Sequence, residues 1–187
     1  MFSTLTDDDP RPLNVVREDG ESPCVLSGDH AGLVVPQALN LLGLPQSELR
    51  RHIGIDIGVA TLGEMLSEAR DATFISQPYS RLVIDCNRHK GQPDSIPTKS
   101  DGTLIPGNQD VSAEARLSRE RAIFDPYHAR FRDLLDQRKA QGKPSILVAL
   151  HSFTPKHGDY PAPRPWHISV LYNRDARFAR PLLEQLH

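Results

Sequence analysis

Two cysteines in 187 residues, Cys24 and Cys86 with no C-x-x-C pair, exclude a disulfide framework and a thiolate metal knuckle. Both fall in expected strands and read as small buried hydrophobes. No apolar run approaches the roughly 20 residues needed to span a bilayer. The amino-terminal stretch is polar and acidic, without the apolar segment of a secretory signal, so a cytoplasmic address is expected. Charge of one sign is also lacking: 22 Lys+Arg against 24 Asp+Glu leave a formal net charge of -2. Nothing there favours nucleic acid or an anionic membrane surface as a partner. Neither an internal repeat nor a low-complexity tract occurs. The remaining composition, 38% hydrophobic and 25% charged, is that of a soluble globular domain long enough to bury a substantial core.

Proline is abundant instead, and its 16 residues are grouped. Pro10 and Pro12 mark an irregular amino-terminal arm over residues 1–22, in which Leu13-Asn14-Val15-Val16 could add to a sheet edge. Residues 23–187 are expected to form one α/β domain. Pro93, Pro97 and Pro106, mixed with Gly91, Gly102 and Gly107, mark one long loop. Pro155, Pro161, Pro163 and Pro165 mark another. Each follows a strand that ends in polar residues, so both read as walls of a site.

Strands are expected at Cys24 to Ser27, Ala72 to Ser76, Leu82 to Cys86, Ile146 to Leu150 and His167 to Tyr172. The run Ile146 to Leu150 is continuously apolar, as in a strand covered on both faces. Short helices are expected from Pro36 to Leu42 and from Pro45 to Arg51. Ile55, Val59, Leu62, Leu66 and Ala69 recur at helical spacing, which predicts an amphipathic helix over Asp56 to Ala69. Ser112 to Phe124 reads as helix, and Pro126 opens another with Tyr127, Phe131, Leu134 and Leu135 inward and a break or kink near Asp125. Phe178 to Leu186 is a last helix. Strands alternating with helices imply a three-layer αβα sandwich with a mainly parallel mixed sheet.

The chemistry gathers at strand ends, where ligands of open α/β sheets bind. One strand delivers Gly28-Asp29-His30-Ala31-Gly32, another His151-Ser152, a third Asn87-Arg88. Neutral imidazole is a common metal ligand, and a catalytic zinc typically takes three protein ligands. His30 and His151 are therefore candidate ligands of a divalent metal, zinc in the first instance. Asp56 fits a third ligand and a helix N-cap equally well. Arg81, Asp85, Asn87 and Arg88 form a cluster suited to an anionic substrate, the guanidinium fork matching a carboxylate and Asp85 orienting an arginine. Tyr79 could line the same wall. His128 reads as a supporting group or a general acid/base, whereas Arg119, Arg121 and Arg130 read as a solvated face.

Five segments together resemble the N-formylglutamate amidohydrolase family: Gly28 to Gly32, His52-Ile53-Gly54-Ile55-Asp56-Ile57-Gly58, Tyr79 to Arg88, Asp125-Pro126-Tyr127-His128, and Leu150 to Pro155. The resemblance runs from about residue 23 to the end and implies a zinc-carboxypeptidase-like fold. It also implies hydrolysis of the N-formyl amide of an acidic amino acid, with release of formate and the free amine. By position, His30, Asp56 and His151 resemble the metal ligands. Asn87 and Arg88 resemble the pair that holds the substrate carboxylate, with Tyr79 and Ser152 beside them. Arg81 resembles the arginine that polarises the scissile carbonyl, and Asp85 and His128 complete the catalytic set. Members of the family usually continue past the point where this chain stops at Glu184-Gln185-Leu186-His187, with an acidic residue suited to be general base. Asp29 and Asp85 are candidates in place for that role. Two alternatives share the pocket: a binding module for a small acidic ligand, and a related N-acyl amino acid deacylase. A hydrolase using Cys86 as nucleophile is a third, opposed by the lack of a helix N-terminus to lower its pKa.

Overall fold

A computed structural model describes residues 3–156 and 162–186 of the chain. Part of the proline-rich loop around Pro161 lies outside the described residues. The chain divides into two compact units, Met1–Phe153 and Thr154–His187.

The first unit is built on a four-stranded sheet in the order β1-β3-β2-β6. These strands are β1 (Asn14–Val16), β2 (Cys24–Gly28), β3 (Thr73–Ser76) and β6 (Ile146–Ala149). β2 runs parallel to both neighbours, with Leu26 opposite Phe74 on one side and Val148 on the other. β1 joins the far edge of β3 antiparallel, Val15 opposite Ile75, so the amino-terminal arm does extend the sheet. A small hairpin, β4 (Lys99–Ser100) and β5 (Thr103–Leu104), stands apart.

Alternation along the strands sorts the core into two clusters. Val25 and Ile75 pack with Ile123, Tyr127 and Leu134. Leu26 and Phe74 pack with Val59, Ala72 and Leu150. The helices supplying these residues follow the expected order: α1 (Gln46–Leu49), α2 (Val59–Arg70), α3 (Ala113–Arg119) and α4 (Asp125–Ala140). Pro36 is followed by a 3-10 segment, Gln37–Gly43, in which Asn40, Leu41 and Leu42 turn left-handed.

Three expectations change, and a fourth takes definite form. α2 starts at Val59 rather than Asp56, because Gly58 enters it with φ 84° and Asp56 is engaged elsewhere. The break or kink expected near Asp125 takes the form of a π-helical turn, Glu120–Phe124, that joins α3 to α4. Widening the helix there accommodates Pro126, which has no N–H to donate. Residues 82–86 form turns, not a strand, although Leu82, Val83 and Ile84 are core residues. β6 is covered less than expected, since Leu147 is 55% exposed.

In the second unit the expected strand His167 to Tyr172 is absent, and Ile168, Leu171 and Tyr172 are exposed. Its one helix among the described residues is α5 (Ala179–Leu186).

Candidate metal centre

The carboxyl ends of β2, β3 and β6 lie on one side of the sheet, and there the chain assembles its polar residues. β2 ends at Gly28, and a tight turn closed by the Ala31 N–H on the Gly28 carbonyl brings His30 back over the strand end. Gly32 permits this return, since a Cβ there would stand 1.9 Å from the Pro78 carbonyl oxygen. β6 delivers His151 two residues past its end. Asp56 arrives from the loop before α2, its N–H donating to the His30 carbonyl at 2.9 Å.

His30, Asp56 and His151 each offer a ligand atom within 4.8 Å of the others. His151 Nδ1 lies 2.9 Å from Asp56 Oδ2, and His30 Nδ1 lies 3.4 Å from the same oxygen. The Ser152 N–H also donates to that oxygen, at 3.3 Å. His30 is 2% exposed, and its Nδ1 has no hydrogen-bond partner. An orphaned buried ring nitrogen is costly unless something else uses its lone pair. Two imidazoles and a carboxylate are a donor set that a divalent cation takes. The residues therefore fit a metal.

Asp85 fixes the other side of His30. Its Oδ1 accepts from His30 Nε2 at 2.7 Å and from the Asn87 N–H at 2.8 Å, while Oδ2 accepts from Arg81 Nη2 at 2.8 Å. Burial pushes the Asp85 carboxyl up, but the bond from His30 and the charges of His30 and Arg81 outweigh it and hold it down at about 2. An ionised carboxylate only accepts, so His30 Nε2 carries a proton toward Asp85, and Nδ1 is the ring nitrogen left without a hydrogen-bond partner. Asp56 is likewise held well below the usual carboxylate range: burial opposes this, and the bond to His151 and the nearness of the His30 ring prevail. Burial also works to lower the His30 pKa, yet its two carboxylate partners raise it.

Arg81 spans the two acids, with Nη1 3.6 Å from Asp56 Oδ1, and its side chain stays partly open to solvent. Arg88 pairs instead with Asp94, Nε to Oδ2 at 2.7 Å, and donates from Nη1 to the Asn87 carbonyl. Asn87 and Ser152 are exposed. Tyr79 is fully buried among core residues and donates its hydroxyl to the Pro10 carbonyl, and burial lifts its pKa to about 12. His128 packs its ring on Phe124, centroids 4.2 Å apart, and its Nε2 meets the Cys86 carbonyl at 2.9 Å.

Some residues that shape the site went unread in the sequence. Arg119, expected on a solvated face, is 2% exposed and donates to the Val83 and Gly107 carbonyls and to Asn108 Oδ1. Asn108 donates in turn to the Leu82 and Pro97 carbonyls. Gln77 accepts the Tyr79 N–H and reaches Cys86 Sγ. No local pattern marks Arg119 or Asn108, whose partners lie 11 to 36 residues away.

A mixed α/β protein with two histidines and a carboxylate gathered at the carboxyl ends of parallel strands is the class that fold and site define. The chain belongs to the N-formylglutamate amidohydrolase family, whose model matches residues 22–187. A gene product of Agrobacterium tumefaciens with a solved structure is 34% identical, with a TM-score of 0.92 over 97% of this chain and 71% of its own. A solved N-formylglutamate amidohydrolase of Ralstonia eutropha is 20% identical, with a TM-score of 0.61 over 83% of this chain and 64% of its own. At that identity the second likeness is one of fold. No curated protein matches the chain. The family is one of amide hydrolases, and among the described residues no helix is long and apolar enough to cross a membrane.

Proposed function

We propose that this chain is a metal-dependent amidohydrolase that acts on N-formylglutamate or a similar N-acyl acidic amino acid, releasing formate or another acid and the free amine. The observation that carries the reading is the buried, partnerless Nδ1 of His30 facing Asp56 and His151. These three residues would hold a divalent cation, zinc by its preference for imidazole and carboxylate. When bound, such a cation supplies Lewis acidity and makes water a nucleophile at neutral pH.

The chain's own residues supply the rest. Arg81, held on Asp85 and beside Asp56 with its fork partly open, polarises the scissile carbonyl and stabilises the charge that develops on it. Asp85, with three donors already on it, orients His30 and Arg81. Asn87 and Arg88 capture the substrate carboxylate. Arg88 has one acidic partner among the described residues, the exposed Asp94, a pair cheap to exchange for a better-placed anion. Ser152, whose N–H donates to Asp56, is assigned to substrate binding with them, and His128 holds the Cys86 carbonyl just ahead of Asn87. With α2 residues on one core cluster and α4 residues on the other, the fold reads as a three-layer, zinc-carboxypeptidase-like sandwich in a cytoplasmic protein.

Metal analysis of the purified chain, together with formate release from N-formylglutamate, tests this reading. His151→Ala is expected to lose metal, whereas Arg88→Ala keeps it and raises KM. Equal metal content in wild type and His151→Ala overturns the assignment. Ligand affinity without turnover in the metal-loaded chain identifies a binding module instead.

A further inference from the structure

We infer that Asp29, anchored by the Tyr127 hydroxyl, is a second orienting carboxylate that fixes the His151 ring for metal binding as Asp85 fixes that of His30. The inference rests on the metal reading above and extends it to residues that touch neither metal nor substrate.

The two imidazoles are aimed alike, although the outer contact of His30 is a hydrogen bond and that of His151 an ion-pair contact longer than one. Each turns Nδ1 toward one oxygen, Asp56 Oδ2, at 3.4 Å from His30 and 2.9 Å from His151. Each turns Nε2 toward a further carboxylate, Asp85 Oδ1 at 2.7 Å for His30 and Asp29 Oδ2 at 3.7 Å for His151. Their rings lie 5.1 Å apart. Asp85 is fixed by Arg81 and the Asn87 N–H. Asp29 has its own anchor, since Oδ1 accepts the Tyr127 hydroxyl at 2.6 Å.

Tyr127 is well placed to anchor anything. It is fully buried on α4, with Phe131 edge-on at 5.2 Å and His128 edge-on at 5.5 Å. A hydroxyl on so confined a ring has little freedom to leave its acceptor. An imidazole that meets a cation through Nδ1 keeps its one ring proton on Nε2, the atom that faces Asp29. A fixed carboxylate there selects that tautomer and ring orientation. Asp29 and His30 are adjacent in sequence yet serve different rings, because they sit on the turn that follows β2. Tyr127 and Asp29 are positioning residues.

The test is calorimetric titration of zinc into the full chain after removal of metal by chelation. Tyr127→Phe and Asp29→Asn are each expected to weaken zinc binding by about 10- to 100-fold, the usual effect of losing an outer partner of a metal histidine. Tyr79→Phe is the control: it removes another buried tyrosine hydroxyl, one that serves the Pro10 carbonyl. Zinc affinity in both site variants that matches wild type, or falls no further than in Tyr79→Phe, overturns the inference and leaves the metal reading standing. A wild-type chain that takes up no zinc overturns the metal reading itself, and this inference with it.

Discussion

Within one residue of the Asp85 carboxylate the chain places a thiol, and the two groups are treated in opposite ways. Asp85 is buried but collects an imidazole, a guanidinium and a backbone N–H, so its charge is retained. Cys86 is buried with only the Gln77 amide 3.5 Å from its sulfur, and Asp29 and Asp85 are the nearby charges. Burial pushes the Cys86 thiol pKa up, and those two carboxylates add to the effect. A thiolate is the reactive form, so a nucleophilic Cys86 is disfavoured by its surroundings. In the native chain, iodoacetamide at neutral pH is expected to modify the less buried Cys24 ahead of Cys86, and to leave turnover intact while Cys86 remains unmodified. Peptide mapping beside an activity assay reads both. Fast alkylation of Cys86 that tracks loss of activity would restore the cysteine-hydrolase reading.

Elements matter here chiefly through the one that is not regular. The segment from Tyr79 to Arg88 carries Arg81, Asp85, Asn87 and Arg88, and its apolar run predicts a strand. Such a run reports burial, which Leu82, Val83 and Ile84 do show. It does not report what satisfies the backbone. Here that is done piecemeal: Ser95 O accepts the Asp85 N–H, Asn108 serves Leu82 O, and Arg119 serves Val83 O. Partners 10 to 36 residues away replace the ladder, and no local spacing announces them. By contrast β2 and β6 are legible because a parallel ladder demands the β-rich apolar runs the sequence has. The same holds for His30 and His151, which follow those strands directly. Asp56 was legible only as one of two roles, since a residue ahead of a helix can cap it or turn away. Asn108→Ala removes the donor from two carbonyls and an acceptor from Arg119. It is expected to cost about 1–3 kcal/mol in urea unfolding. It should also lower kcat and weaken metal binding, because the turn bearing Arg81 and Asp85, the latter orienting His30, loses its support. Unchanged stability and kcat would mean the turn holds itself.

At the scale of the sheet, the order β1-β3-β2-β6 makes β2 and β3 its buried centre and leaves β1 and β6 as edges among the described residues. Nature blunts the β1 edge by shortness, three residues with a polar Asn14. β6 is nearly as short, four residues, but wholly apolar. Leu147 stands in register with Val25, which is fully buried, yet is itself 55% exposed, so cover on that face ends before the last strand. A continuous apolar edge with free backbone groups invites pairing with other chains. Placing a charge there should oppose it, and Leu147 has little burial to lose. Leu147→Lys is therefore expected to slow concentration-dependent aggregation, followed by light scattering, with unfolding free energy changed by no more than about 0.5 kcal/mol. The outcome separates two physical situations. A large loss of stability would mean that Leu147 is packed in solution by something that covers the edge, and unchanged aggregation would place self-association on another surface.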